Sequence, residues 1–160
     1  MADARIYADL KKDHDRHRKL LDDIEATSRG SDERGELFEE LRKELQAHAA
    51  AEEQALYALM LANPELRDEA RHSVAEHKEI DDLLGELVEI EPNDVGWVTK
   101  FREMRHRYEH HIDEEEEEMF PAAAEELTSG EEDKAAEVFE QRKPEELERA
   151  EAEMPGDERD

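Results

Sequence analysis

The chain has 160 residues and no cysteine; 36% of its residues are apolar, 44% are charged, and the formal net charge is -27. This length fits one domain with a narrow core, and the missing cysteines exclude disulfides, thiolate metal sites, iron–sulfur clusters and cysteine nucleophiles. So negative a chain is not expected to bind nucleic acid or an anionic membrane, and with no apolar run of signal or membrane-spanning length its expected location is cytoplasmic.

Glycine and proline act as punctuation: Gly30, Asn63-Pro64, Pro92-Asn93 and Ser129-Gly130 divide the chain into four long segments and a shorter remainder. The first segment repeats apolar-phase positions at Ile6, Leu10, His14, His17, Leu21 and Ile24. The second, after Gly30, does so at Leu37, Leu41, Leu45, His48, Glu52, Ala55 and Leu59. Asn63 reads as an N-cap with Pro64 as first helical residue, and the third stripe runs Leu66, Ala70, Ser73, His77, Asp81, Leu84 and Val88. Asn93-Asp94 caps the fourth, with Trp97, Phe101, Met104, Tyr108, His111, Glu115 and Met119 in phase. Spacings of three and four with no strand-like alternation predict helices of about 20–27 residues, or about 30–40 Å. Short connections between them predict an all-α, up-down-up-down antiparallel four-helix bundle over residues 1–128. A short helical extension over 129–143 is capped by Ser129 and docked by Val138 and Phe139. Residues 144–160, charged and opening on Pro144, are predicted to be a disordered tail.

Four histidines, one per segment, therefore occupy positions where a helix should be apolar: His14, His48, His77 and His111. Two of them carry a glutamate one turn on, as His48-Ala-Ala-Ala-Glu52 and His111-Ile-Asp-Glu-Glu115, and their surroundings resemble each other, suggesting a two-fold relation between helix pairs. Imidazole and carboxylate at i and i+4 project from one face and reach a shared centre. Four nitrogens and two carboxylates without sulfur suit a pair of first-row metals: iron first, with zinc or manganese as substitutes.

In a chain with 49 acidic residues, HxxxE alone is a weak signal. His72/Glu76 and His110/Glu114 share the spacing, but His72 lies off its stripe. His110, one position from the inward face, is a candidate support for a ligand. Glu69-x-x-His72 and Glu103-x-x-His106 fit the rival ferritin-like pattern, but their histidines also leave the core phase. His17 is in phase and reads as a polar neighbour of the site. Tyr57 reads as a packing residue with a hydrogen-bonded hydroxyl, contact with the metal pocket being the alternative. For Asp81 three roles stay open: ligand, partner of His14 or His17, or solvated residue.

The ordered set Asp13-His14, His48-x-x-x-Glu52, Glu76-His77 and His111-x-x-x-Glu115, followed by Met-Phe-Pro, resembles hemerythrin-like proteins with the HHE cation-binding domain, over about residues 5–125. The resemblance implies His14 and His48 on one iron and His77 and His111 on the other. Glu52 and Glu115 would bridge the pair, with an oxo or hydroxo group between the metals. Oxygen-carrying members have a second histidine on the third helix; here Ser73 and Asp81 stand one turn either side of His77. One iron would then keep water, recruit Asp81 or take another oxygen ligand. The expected function is binding or responding to dioxygen, peroxide or nitric oxide, with peroxide decomposition as the candidate turnover. A non-catalytic iron or oxygen sensor, an iron-handling module and a metal-free acidic interaction protein are the alternatives. A protein partner is not identifiable from the residues.

Overall fold

The computed structural model describes residues 3–156, and all regular structure among them is helical. α1 spans Arg5–Glu25 and α2 Asp32–Glu52; α2 runs on through a π-helical turn, π1 (Glu53–Tyr57), into α3 (Ala58–Ala62). α4 spans Arg67–Val88 and α5 Val95–Glu114, which continues through a second π-helical turn, π2 (Glu115–Met119), into α6 (Phe120–Glu126). α7 spans Ser129–Ala152. Ser31 caps α2 by accepting from the Arg34 amide, and Asp94 caps α5 by accepting from that of Gly96. α7 opens with a capping box between Thr128 and Glu131, so its cap is Thr128 and not Ser129. The predicted cap at Asn63 also falls early: its carboxamide accepts from the Glu65 amide, and helix begins only at Arg67.

Two apolar clusters form the core. One gathers Ile6, Leu10, Leu56, Met60, Leu66, Ala70, Phe120 and Phe139 among others. The other gathers Leu21, Ile24, Phe38, Leu41, Leu84, Trp97, Phe101 and Met104 among others. The chain passes from the first to the second along α1 and returns along α2, then repeats the traverse along α4 and α5. Each crossing places histidine or glutamate between the clusters, giving a buried polar layer of His14, His17, His48, Glu52, His77, His111 and Glu115.

The buried stripes differ from the predicted ones where helical phase moves. A π turn wraps one extra residue, so beyond Glu52 the inward position is Met60, wholly buried, and not Leu59. On α4 the stripe continues from His77 to Ile80 and Leu84. Asp81, a full four residues on, drifts out of the core to half-buried.

The extension is longer than predicted. α7 passes through Pro144 and ends at Ala152, where the sequence reading ends the helix at 143 and begins a disordered tail. A proline at this position removes a hydrogen bond to the carbonyl of Glu140, which lies on the exposed side where water replaces it. Long-range contacts with α2 hold the far half. Buried Arg42 donates to the carbonyls of Ala150 (2.9 Å) and Glu153 (3.2 Å), and Gln54 donates to Glu146 (3.0 Å). Predictions for residues 1–2 and 157–160 lie outside the described residues.

Candidate metal centre

The six expected ligands meet in the polar layer, and all are buried. Nε2 of His14, His48 and His111, both oxygens of Glu52 and Oε1 of Glu115 make no hydrogen bond within the described residues. Unpartnered buried polar atoms are rare because each costs about 1–3 kcal/mol, and here they converge. Glu52 Oε1 lies 3.5 Å from His48 Nε2 and 3.4 Å from His77 Nε2. Glu115 Oε1 lies 3.2 Å from His14 Nε2 and 3.7 Å from His111 Nε2. These separations suit an ion pair, but the atoms are not aligned as hydrogen bonds. Glu52, His77, His111 and Glu115 form one compact group of potential ligand atoms, and His14, His48 and Glu115 form another. Each carboxylate thus touches one histidine from each of the pairs His14/His48 and His77/His111. The donor set fits two cations.

The outward nitrogen of each of the four expected ligand histidines is held by a carboxylate. His14 Nδ1 donates to Glu116 (2.7 Å), His48 Nδ1 to Asp13 (2.9 Å), His77 Nδ1 to Glu53 (2.8 Å) and His111 Nδ1 to Glu76 (2.8 Å). This holds a proton on each outward Nδ1, aims Nε2 at the centre and makes the ring a stronger donor. A shift of 63 residues carries His14, His48, Glu52, Asp13 and Glu53 onto His77, His111, Glu115, Glu76 and Glu116. The ligands and their supports therefore share one approximate two-fold. The sequence reading named Asp13 and Glu76 beside their histidines but gave none of the four supporting carboxylates a role. The signal was their adjacency: each stands next to a ligand in the chain.

Charge follows from this geometry. Burial by itself lowers His14 and His77, but the carboxylates of Glu115 and Glu116 push His14 up to about 9, and those of Glu52 and Glu53 push His77 up to about 10. Burial would raise Glu52, yet His48 and His77 hold it well below the usual carboxylate range.

The further candidates separate. Tyr57 points into the site: its hydroxyl donates to Glu115 Oε2 and lies 3.4 Å from His77 Nε2. The π turn brings it there, and the symmetry-related position is Phe120, stacked on His14 at 6.1 Å. His17 is a polar neighbour with both nitrogens engaged. Nδ1 accepts from the Tyr108 hydroxyl (2.6 Å), Nε2 donates to Glu44 (3.1 Å), and burial holds the ring down at about 4. Asp81 belongs to neither group of potential ligand atoms and accepts from the Gly156 amide (2.8 Å). His110 corrects the sequence reading: its side chain is 66% exposed beside Glu114, on the helix face away from the centre. Lys143, which the sequence reading passed over, reaches in from α7 to donate to Asp13 (2.7 Å) and Glu44 (3.1 Å).

The family model described as the hemerythrin HHE cation binding domain matches residues 5–123. Among solved structures, the crystal structure of a hemerythrin HHE cation binding domain-containing protein from Mycobacterium kansasii is similar. It has a TM-score of 0.78 and 28% identity, over 89% of this chain and 87% of that one. A search of curated proteins finds no significant match. No helix among the described residues is long and apolar enough to cross a membrane. With the ordered ligand set, its geometry and a family match over most of its length in agreement, this chain belongs to the hemerythrin HHE cation-binding domain family.

Proposed function

We propose that the protein is a non-haem di-iron protein that binds or responds to dioxygen, peroxide or nitric oxide and decomposes peroxide. Its frame is an up-down-up-down four-helix bundle, a reading supported by the alternating passage of the chain between the two apolar clusters. The observation that carries the proposal is the convergence of six buried, unpartnered donor atoms on one point. His14 and His48 hold one iron, His77 and His111 the other, and Glu52 and Glu115 span both. When bound, the irons supply redox capacity and a coordination position for a small oxygen or nitrogen ligand.

The chain's own groups do the rest. Asp13, Glu53, Glu76 and Glu116 orient the imidazoles, and the two apolar clusters exclude bulk water. Tyr57 holds a proton against Glu115 and places its oxygen beside His77. The test is metal content per chain, with the visible spectrum before and after peroxide. About two irons, a charge-transfer band and sustained oxygen release support the proposal. No metal, and none taken up from ferrous iron, overturns it.

A second reading, non-catalytic sensing, is favoured by the contact of α7 with the ligand surroundings. Lys143 holds Asp13, which holds His48, and Phe139 packs edge-on to the His48 ring at 5.8 Å. That reading predicts a spectral change with peroxide, no turnover, and altered protection of α7.

A further inference from the structure

Between α2 and α4 lies a cavity of about 230 Å³. Its inner end is formed by His48, His77 and Tyr108, one ligand from each pair among them. Leu45, Ile80 and Leu84 wall its middle, and Glu53, Val74 and Lys78 stand where it meets solvent. A water molecule's share of liquid is about 30 Å³, so the space exceeds what dioxygen or peroxide needs. Gly156 lines it as well.

The segment Glu153–Gly156 is strapped across the gap between these helices from both sides. Gln46 donates to the Glu153 carbonyl (3.0 Å) and Arg42 to the same oxygen (3.2 Å). Opposite, the Gly156 amide donates to Asp81 (2.8 Å). Gly85 makes the approach possible: a Cβ there would lie 3.2 Å from the Pro155 carbonyl oxygen and 3.3 Å from Gly156 Cα. Gly156 itself turns with φ +96°, the left-handed region that suits glycine.

We propose that this cavity is the entrance through which small uncharged molecules reach the metal centre, and that the strap Glu153–Gly156 is the wall that limits what it admits. The apolar middle favours uncharged ligands. The mouth disfavours anions, because Lys78 is paired to Asp82 (2.9 Å) and His77 to Glu53 (2.8 Å) while Asp81 adds negative charge. The inference rests on the metal-centre reading for its purpose, but its test does not need metal.

Since the chain has no cysteine, a single thiol can report on the cavity. Ile80→Cys is placed in the full chain, with Leu84→Cys as the second site should the first fail to fold. Labelling rates are measured with methyl methanethiosulfonate, which is neutral, and with its anionic sulfonatoethyl analogue, each normalised to a free thiol. The neutral reagent is expected to react about tenfold faster, and removal of residues 153–160 to raise both rates by about tenfold. Gly85→Leu, which displaces the strap without shortening the chain, should do the same, and Val74→Trp at the mouth should slow labelling. Circular dichroism checks that each variant keeps its helix. Equal rates for the two reagents, or rates unchanged by both strap lesions, overturn the proposal even if two irons bind. Labelling as expected in a chain that takes up no iron would instead overturn the metal reading.

Discussion

Removing the metal is expected to cost this protein much of its stability, and the size follows from the atoms around the centre. Six buried donor atoms have no hydrogen-bonding partner among the described residues. Each such atom costs about 1–3 kcal/mol, and the lower figure applies because the metal-free site is partly charge-balanced. His14 and His77, pushed up to about 9 and 10, carry protons at neutral pH opposite Glu52 and Glu115. The total is then about 6 kcal/mol, against about 5–15 kcal/mol for a whole domain. For a chain of this length that is about 12–24 °C in Tm.

Scanning calorimetry of metal-loaded and chelator-stripped protein reads the difference directly. Its pH dependence has a definite sign. Raised imidazole pKa values stabilise the metal-free fold fully below about 6.5, and that contribution is lost as pH rises through 9 to 10. The gap between the two forms should therefore widen across that window. Loading near neutrality should release about two protons per chain, one each from His14 and His77. Melting temperatures within about 3 °C of each other, with no proton release, would refute the reasoning.

Other expectations rest on single contacts. Lys143→Met removes the ammonium that holds Asp13 and loosens the hold of Asp13 on His48, so metal affinity measured by competition with a chelator should fall about 10–100-fold while helix content is unchanged. Asp9 is pushed up to about 7 by burial and then by the neighbouring Glu140, so its favourable contribution is complete below about 3.8 and lost as pH rises through 7. Asp9→Asn should accordingly raise Tm near pH 8 and change it little near pH 4. Buried Arg42 is neutralised by Glu39, which is 48% exposed. Arg42→Ala empties a buried site and strips Gln46 and the carbonyls of Ala150 and Glu153 of their donor, so it should cost more than Glu39→Ala, which leaves the guanidinium those three acceptors, both read from denaturant melts.

The helical periods and the inward placement of the six expected ligands were legible in the sequence because each histidine and glutamate sits in phase with its apolar neighbours. Local phase also decided against His72, whose side chain is 56% exposed. Phase failed where geometry departs from the regular helix. The first π turn moved Met60 and Tyr57 inward, and steps of four carried Asp81 out of the core. The path of α7 was hidden for a different reason. Its sequence reads as charged and interrupted by Pro144, while the groups that hold it, Arg42, Gln46 and Gln54, lie about a hundred residues earlier.

The contact between Asp13 and Lys143 spans 130 residues, while every expected ligand lies at or before Glu115. Chains emerge from the ribosome in order and begin to fold from the N-terminal side. The constellation proposed to hold cations is thus synthesised first, and the lysine that reaches Asp13 arrives later. Until α7 docks, Asp13 lacks that clamp and the far wall of the α2–α4 cavity is absent. On the proposed metal reading, cation exchange is therefore expected to be easiest before the last helix docks and to slow once Lys143 reaches Asp13.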